Sequence, residues 1–451
     1  MSGATAVHED DRAPLAALLS FLIPGLGQAY NRDFRLAFLM ALPAVVVVVL
    51  ILAATGKGSG LLSDLFDVRV LVAIVVVDVA LLGWRLVAII QAHAAREPAR
   101  PRRWTTWVTV LLVAATIGMH LVPAWYATAT INTLNSVSLG GRDPSGIFAR
   151  PFPTPTARPV VGPVPTAEPT PAPPISGRVA VLLVGIDSLP QRSTMNTDTM
   201  LVAILDPKSG PAMISIPRDT FGTPLGDGRV YNAKLNSLLS AGTHDPTTYP
   251  LGGPGSLKAA VGTLLGIQID YMVAMDLLGF LGMVDALGGV DVTVTRGVYD
   301  SFYYNEYDQQ TGFYLDPGEY HFDGHTALAY ARTRYGIGDN DFTRAARQQE
   351  LLEALVRDIT AADLLLNLPT LLALVGDSVA SDIPVEHVPY LARMLEKADL
   401  STVERLVIQY PLAYSDNLTD GTYILIPDIA AIQAAVEAML TVESGPTPAP
   451  D

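Results

Sequence analysis

Long apolar runs occupy the first quarter of the chain, at about residues 15–30, 36–54, 70–91 and 105–127. A helix that crosses a bilayer needs about 20 apolar residues, so the second and third runs predict transmembrane helices. The fourth run carries tryptophan at both ends, which suits the two membrane interfaces. The pattern therefore predicts a membrane domain over residues 1–130 with three or four transmembrane helices.

Two of these apolar runs contain residues that are unusual in a transmembrane helix. The first run is broken by Pro24-Gly25 and Gly27, so it is a full span, a re-entrant segment or an interfacial helix. The third run contains Asp78 and Arg85. We expect Arg85 to extend towards the membrane interface and Asp78 to face a neighbouring helix, because charged groups avoid lipid.

A basic segment between the third and fourth runs predicts the orientation. Arg96, Arg100, Arg102 and Arg103 cluster there, and basic loops remain in the cytoplasm. The fourth helix then leaves the cytoplasm, so the protein is predicted to be a multi-pass cell-membrane protein with an extracytoplasmic domain. The first 13 residues lack the basic region and cleavage site of a signal peptide.

Residues 131–178 are predicted to form a linker. Residues 151–174 contain ten prolines, interleaved with threonine and alanine. Such a segment is extended and cannot pack a core. By the same reasoning, the tail at residues 442–451 is predicted to be disordered.

Between linker and tail, the pattern predicts an α/β domain over residues 179–441. Apolar runs of strand length alternate with longer amphipathic segments of helical period. This alternation predicts a mixed central sheet flanked by helices. The predicted strands are 179–187, 199–205, 212–217, 271–275, 290–295 and 403–410, and the predicted helices are 256–266, 279–289, 322–331, 341–359, 361–374, 385–397 and 428–441.

The distribution of charge along the chain argues against one class of function, nucleic-acid binding. The net charge is −15, and the residues after 130 carry 19 Lys and Arg against 36 Asp and Glu. A domain this acidic is not expected to bind nucleic acid, because that affinity depends on neutralising phosphates. The chain has no cysteine, which excludes disulfides and thiolate chemistry.

One basic segment, residues 331–349, stands out against this acidic background. Arg332 and Arg334 are two residues apart, so in an extended segment both side chains leave from one side. Asp341 is predicted to cap a helix that carries Arg344 and Gln348 on one face. With Arg347, two pairs of forked donors are expected to converge on a multiply charged anion such as a diphosphate. The alternative is a solvated basic face.

Acidic residues at strand ends predict a metal site nearby. Asp187 ends the first predicted strand, Asp198 precedes the second, and Arg218-Asp219 follows the third. Open α/β sheets bind ligands at such edges, and two carboxylates suit Mg²⁺, which completes its shell with water and phosphate. Each aspartate alone also fits an ordinary helix cap or turn.

Several sequence blocks, in this order, resemble one known family. They are LLVGIDS, TDTMLVAI, SIPRDT, LNSLLSAGT, IDYMVAMDLLGFLGMVDALGGVDVTV, DGHTALAYARTR and DFTRAARQQ. Together they resemble the catalytic domain of the LytR-CpsA-Psr family, closely over residues 179–358 and loosely over 359–441. The resemblance implies a membrane-anchored phosphotransferase. Such an enzyme moves a glycopolymer from a polyprenyl diphosphate carrier to a cell-wall or envelope acceptor.

The resemblance also implies roles for individual residues. Asp187 and Asp198 correspond to magnesium-binding aspartates, and Lys234 stands where a basic residue is common. Asn196 is a departure, because the family often has arginine there; Arg192 is a candidate substitute. The residues implied to contact or lie beside the diphosphate are Arg218, Arg332, Arg334, Arg344, Gln348 and Asp341.

Three functions remain open at this point. The first is the Mg²⁺-dependent transferase, with Asp341 or Asp219 as candidate base for the acceptor hydroxyl. The second is a lipid-diphosphate phosphatase that uses water at the same site. The third is a non-catalytic protein that binds anionic polymers. For either lipid enzyme, the predicted helices 256–266 and 277–289 have apolar surface for a polyprenyl tail, or they simply pack in the core.

Overall fold

The computed structural model describes residues 12–55, 68–95, 103–137, 177–187, 196–358, 371 and 378–441. The chain divides into two compact units, Met1–Asn132 and Thr133–Asp451. We describe each unit by itself. Apart from residue 371, the predicted helix at 361–374 lies outside the described residues, as do most of the predicted linker and all of the predicted tail.

The amino-terminal unit is helical. A break at Pro24-Gly25 separates its first two helices, as predicted, and Gly25 has φ +102°, a conformation that favours glycine. A Cβ on Gly25 would lie 2.4 Å from the carbonyl oxygen of Ala37, so the turn also needs glycine for space. The helices are α1 (Arg12–Leu22), α2 (Leu26–Tyr30), α3 (Phe34–Thr55), α4 (Val68–Ala94) and α5 (Arg103–Val137).

Two stretches, in α4 and α5, are long and apolar enough to cross a membrane: Arg69–Ala94 and Arg103–Thr130. The apolar stretch Phe34–Val49 of α3 is shorter than such a span. These two helices support a membrane attachment by length and composition. Within the described ranges two helices meet this criterion, so the three or four transmembrane helices expected from the sequence are not shown.

Charged groups of α4 find partners inside the unit. The Asp78 carboxylate lies 2.7 Å from Nδ1 of His120 on α5, which confirms that it faces a neighbouring helix. The guanidinium of Arg85 donates to the carbonyl oxygen of Phe21 at 2.7 Å. Its extension towards the membrane interface stays a prediction.

The larger unit is built on a mixed six-stranded sheet, which confirms the fold predicted for the α/β domain. Strand order is β11-β6-β1-β2-β3-β12, with β1/β6 and β3/β12 parallel and the other pairs antiparallel. The strands are β1 (Val179–Ile186), β2 (Thr197–Asp206), β3 (Gly210–Ser215), β4 (Phe221–Pro224), β5 (Val230–Lys234), β6 (Tyr271–Asp276), β7 (Val290–Val294), β8 (Val298–Asp300), β9 (Phe313–Leu315), β10 (Gly318–Phe322), β11 (Val379–Ser381), β12 (Glu404–Val407), β13 (Ala413–Asn417) and β14 (Tyr423–Pro427).

Helices cover both faces of this sheet and form two hydrophobic cores. The larger core joins the sheet to α6, α7 and α12, through residues such as Leu182, Leu264 and Val436. The second core joins α8, α9 and α10 to β7 and β10, around Phe322 and Tyr330. These helices are α6 (Leu238–His244), α7 (Gly252–Leu265), α8 (Leu277–Ala286), α9 (Gly324–Arg332), α10 (Asp341–Asp358), α11 (Val388–Lys397) and α12 (Ile429–Thr441).

Of three predicted helix starts, one is confirmed and two are wrong. Asp323 caps α9 as a cap should, accepting from the backbone N–H of Thr326 at 2.8 Å. Asp341, predicted to be a cap, lies inside the first turn of α10. Its neighbour Asn340 caps instead, accepting from the N–H groups of residues 342 and 343 at 2.9 and 3.0 Å. Helix α7 begins at residue 252, four residues before the predicted start at Ser256.

Candidate functional site

A β-bulge at the end of the first two strands places the two predicted metal-binding aspartates. Gly185 pairs with Thr199 and Ile186 with Thr197, so Asp198 is the extra residue of β2. A bulge changes the direction of side chains at the edge of a sheet. This one lies next to the end of β1, which Asp187 directly follows. A Cβ on Gly185 would lie 2.9 Å from the Cβ of Thr199, which explains the glycine there.

A buried carboxylate holds the arginine-bearing segment after α9. Asp300 is 1% exposed, and its Oδ2 accepts from Thr333 Oγ1 at 2.5 Å. The same oxygen accepts from the backbone N–H groups of Arg334 and Tyr335 at 3.2 and 3.0 Å. A buried charge needs such donors to offset its desolvation. The backbone of this segment is therefore fixed before any ligand binds.

These elements enclose a cavity of about 550 Å³ at one edge of the sheet. It contains seven of the nine predicted site residues, from five separate segments of the chain. Its lining residues are Gly185, Asp187, Asp198, Thr199, Arg218, Leu277, Asp300, Phe302, Tyr303, Tyr304, Ala331, Arg332, Thr333, Arg334, Tyr335, Arg344 and Gln348.

Arginines and aspartates face each other across this cavity. Arg218 Nη1 lies 2.9 Å from Oδ1 of Asp198, and Arg332 Nη2 lies 4.0 Å from Oδ1 of Asp187. Arg344 contacts Asp341 at 2.9 Å and donates to the backbone oxygen of Asp198 at 3.3 Å. These pairs orient the guanidinium groups around one space.

Burial acts differently on two of these arginines. For Arg218, burial opposes the charged form, but the carboxylates of Asp198 and Asp341 outweigh it and raise its pKa. For Arg344, burial is the stronger effect and lowers its pKa, although Asp341 opposes this change. A guanidinium is protonated at neutral pH in either case. Arg344 thus presents a poorly hydrated cation, which favours an incoming anion.

Two of the nine predicted site residues lie beside the cavity and do not line it. Lys234 Nζ pairs with Asp219 Oδ1 at 2.6 Å. Asp341 pairs with Arg344 and lies 3.6 Å from Arg334. Asp219, the other candidate base, is also outside the lining and is buried. In this structure all three position neighbouring charges.

The expectation that four arginines of the basic segment converge on one anion was wrong, because Arg347 does not line the cavity. It is buried, and its donors go to the carbonyl oxygens of Tyr330 and Thr333 and to Asp339. Arg344 and Arg347 are three residues apart, yet only Arg344 lines the cavity. Arg347 instead ties α10 to the end of α9.

The polar cavity continues into an apolar slot. This second cavity has a volume of about 300 Å³ and lies between the sheet and helices α8 and α10. Gly185, Thr199, Leu277, Ala331, Arg332 and Gln348 line both spaces. Of the two helices considered for an apolar site, α8 therefore lines the slot, whereas α7 packs in the larger core. The remaining lining residues are Leu183, Val184, Leu201, Val273, Met275, Asp276, Phe280, Met283, Leu328, Leu351, Leu352 and Leu355.

Sequence reasoning missed several lining residues. Asp300, Phe302, Tyr303 and Tyr304 belong to the run YDSFYYNEYD, which begins within β8 and continues into the loop after it. Its density of aromatic residues in a polar segment was the available signal. Arg192, the suggested substitute donor, lies outside the described residues, and Asn196 contributes a carbonyl oxygen to the backbone N–H of Asp187 at 3.2 Å.

The site thus belongs to an α/β domain in which a cavity lined by arginine and aspartate continues into a mostly apolar slot. The particular family follows from comparison, since the LytR_cpsA_psr family model matches residues 167–440. The chain belongs to this family.

Characterised relatives give the enzyme class. TagU of Halalkalibacterium halodurans, a polyisoprenyl-teichoic acid–peptidoglycan teichoic acid transferase, is 30% identical over 58% of this chain and 79% of its own length. TagV of Bacillus subtilis, of the same description, is 30% identical over 46% of this chain and 50% of its own. The predicted enzyme class, a transferase, is confirmed.

The crystal structure of B. subtilis TagV gives a TM-score of 0.46 with 26% identity. The match covers 58% of this chain and 97% of that chain.

Proposed function

We propose that this protein is a membrane-anchored, Mg²⁺-dependent phosphotransferase that moves a glycopolymer from a polyprenyl diphosphate to a cell-wall or envelope acceptor. The observation that carries the proposal is the continuity between the cavity and the slot. One end of this space offers four arginines and the other is lined mostly by apolar side chains, with Arg332 and Gln348 at the junction. A polyprenyl diphosphate has the same two parts.

The arginines suit a diphosphate. The four arginines approach the cavity from three places: the segment after β3 (Arg218), the end of α9 and the residues just after it (Arg332, Arg334), and α10 (Arg344). Forked guanidinium donors match phosphate oxygens in pairs, and donors from different elements can contact both phosphates at once. Gln348 donates to the backbone oxygen of residue 331 at 3.0 Å, which fixes its amide beside them.

The aspartate pair fits magnesium. Asp187 and Asp198 line the same cavity from adjacent strand ends and provide hard oxygen ligands. Among the described residues no cluster of three or more acidic, histidine or cysteine residues forms a fuller metal site. Two carboxylates suffice for Mg²⁺, which keeps water and substrate phosphate in its shell. When bound, it would neutralise charge on the diphosphate.

In the proposed reaction, the acceptor hydroxyl attacks the sugar-bearing phosphorus. A new P–O bond forms, the bond to the bridging oxygen breaks, and polyprenyl phosphate leaves with that oxygen. Arg332, Arg334 and Arg344 hold the phosphoryl oxygens in line and stabilise the charge on the leaving group. Asp341 and Asp219, which lie beside the cavity, remain the candidate acceptors of the hydroxyl proton; Asp341 also holds Arg344 in place.

Filling the apolar slot tests the proposal. Leu352 lines the slot from α10 and is partly buried. Leu352→Trp is expected to raise the KM for a long polyprenyl diphosphate about tenfold or more, because several chain methylenes lose their burial. Affinity for inorganic diphosphate is expected to stay within about twofold. Leu352→Met, of similar volume, serves as the control.

Turnover would be followed as release of polyprenyl phosphate from the full chain in lipid nanodiscs. An unchanged KM for the long lipid in a folded Leu352→Trp variant would show that the tail binds elsewhere. Release without any acceptor, at the full rate, would favour the phosphatase.

We place the catalytic domain outside the cytoplasm, on the strength of the basic segment before α5 and the two apolar helices. Protease added to intact spheroplasts is expected to cut between residues 150 and 175 and release the domain. The measurement is immunodetection of the domain with and without detergent. Protection until detergent is added would reverse the orientation.

A further inference from the structure

The first two helices of the amino-terminal unit are too short to cross a bilayer. We call residues 12–30 the helical hairpin; it consists of α1, α2 and the turn between them. Helix α1 has 11 residues and α2 has five, so they extend about 16 and 8 Å. The hydrocarbon core of a bilayer is about 30 Å thick. Neither helix therefore spans it.

Contacts with α4 give the direction of the helical hairpin. At its closed end, the Arg85 guanidinium donates to the carbonyl oxygen of Phe21 at 2.7 Å. At its open end, the Asn31 side chain donates to the carbonyl oxygen of Ala92 at 2.9 Å. Arg85 precedes Ala92 by seven residues, which corresponds to about 10 Å along α4. The turn thus points along α4 towards its middle, and the open end lies where α4 ends.

The helical hairpin has charged segments at its open end and apolar side chains at its turn. The segments HEDDR at 8–12 and NRDFR at 31–35 stand before and after it in the chain. Ile23, at the turn, is 54% exposed, and Leu22 and Leu26 beside it are also exposed. Charged groups favour water, whereas exposed leucine and isoleucine favour hydrocarbon. This distribution suits a segment whose turn lies in lipid and whose ends lie in water.

Side chains satisfy backbone groups at the break between the two helices. An unsatisfied N–H or C=O group is costly in hydrocarbon. Arg85 satisfies a carbonyl near the end of α1, and Ser20 Oγ accepts from the backbone N–H of Gly27 at 3.1 Å. Gln28 is 1% exposed, accepts from Ser20 at 2.9 Å and donates to the carbonyl oxygen of Ala88 at 2.8 Å. With these partners, the break is compatible with a position inside the membrane.

Basic residues near the open end indicate the side of the membrane. Arg12 begins α1, and Arg32 and Arg35 follow α2. The basic segment at 96–103 follows α4, at the same end of that helix. Basic residues near membrane helices collect on one side, the cytoplasmic one. A full span would instead place the bilayer between Arg12 and Arg32.

We propose that the helical hairpin is re-entrant: it enters and leaves the membrane on the side of the basic segment. The exposed surface formed by Leu22, Ile23 and Leu26 binds the acyl chains of that leaflet. Residues 12 and 32 then lie on the same side, and the turn lies in the hydrocarbon. This lipid-binding surface is independent of the proposed phosphotransfer.

Single cysteines test this topology, because the chain has no cysteine of its own. Arg12→Cys and Arg32→Cys mark the two ends of the helical hairpin, and Ile23→Cys marks its turn. Ala95→Cys and Arg69→Cys mark the two ends of α4 and serve as controls. The full chain, in sealed vesicles of either orientation, is treated with a membrane-impermeant maleimide before and after detergent is added.

The cysteines at positions 12, 32 and 95 are expected to react from one face of the membrane, and the cysteine at 69 from the other. The cysteine at 23 is expected to react at least about tenfold more slowly until detergent is added, because the reactive thiolate does not form in hydrocarbon. Leu26→Cys, on the other side of the turn, repeats this measurement. Thermal unfolding confirms that each variant is folded, and cysteine-free wild type gives the background.

Three outcomes would overturn the inference. Reaction at positions 12 and 32 from opposite faces would make the first apolar run a full span. Rapid reaction at position 23 in intact vesicles would make the helical hairpin interfacial. Reaction at 12 and 32 from the face of position 69 would place the hairpin at the wrong end of α4. Turnover of each variant is measured separately, so either idea can fail while the other stands.

Discussion

Asp187→Asn and Asp198→Asn are each expected to reduce turnover of the lipid diphosphate by at least about a thousandfold, roughly 4 kcal/mol of transition-state stabilisation. Each change keeps the side-chain size but removes a carboxylate charge, which we propose binds magnesium, at the bulge between β1 and β2. Loss of Mg²⁺ leaves the diphosphate charge neutralised by arginine alone. The measurement is release of polyprenyl phosphate against Mg²⁺ concentration, with a chelator applied to wild type.

The control is Asp227→Asn, which changes an aspartate whose side chain is 46% exposed in the turn between β4 and β5. It is expected to keep full turnover and the same magnesium dependence. Thermal unfolding confirms that each variant is folded. Wild-type activity that persists in excess chelator would show that the two aspartates serve another purpose.

Arg344→Ala is expected to lower kcat/KM by roughly ten- to a hundredfold, because a charge-assisted hydrogen bond to phosphate contributes about 1.5–3 kcal/mol. The effect tends to the upper end, since this guanidinium is buried and its hydration is already lost. The loss appears in kcat if Arg344 contacts charge that develops in the transition state, and in KM if it only binds the ground state. Steady-state kinetics measures both.

Two arginines of the same helix are matched controls. Arg357→Ala removes an exposed side chain from the other end of α10 and is expected to leave kinetics and stability unchanged. Arg347→Ala is expected to lower the melting temperature, because it leaves Asp339 buried without its cation. Full turnover in a folded Arg344→Ala variant would mean that the cavity binds its anion through other groups.

The variant Arg334→Lys tests whether binding of the diphosphate needs the planar guanidinium at this position or only its positive charge. Lysine keeps the charge but loses the planar fork, so a bidentate contact predicts a loss close to that of Arg334→Ala. Wild-type kinetics with lysine would show that a point charge is sufficient at this position.

Short-range signals in the sequence predicted much of the catalytic domain. Unbroken apolar runs marked β1, β2 and β3, because strands covered on both faces have no polar side. Asp323 predicted the start of α9, because a cap depends on residues within one turn. The short hairpins β4/β5, β8/β9 and β13/β14 were not predicted, since exposed strands of three to five residues carry little period.

What the sequence determined by itself is the set of chemical groups: paired aspartates at strand ends, a cluster of arginines, an α/β pattern and the ordered blocks of a family. Each depends on residue identity and local spacing. These were sufficient to predict seven of the residues that line the cavity.

Tertiary structure decided which of these groups meet and what space lies between them. Arg344 and Arg347 are the same type of residue on the same helix. The packing of α10 against α9 nevertheless directs Arg344 to the cavity and Arg347 to buried carbonyl groups. The sequences of α7 and α8 predict similar apolar faces, but α8 lines an open slot whereas α7 packs in the larger core. Periodicity identifies the face of a helix that avoids water, whereas the shapes of its neighbours determine whether that face meets a filled core or a cavity.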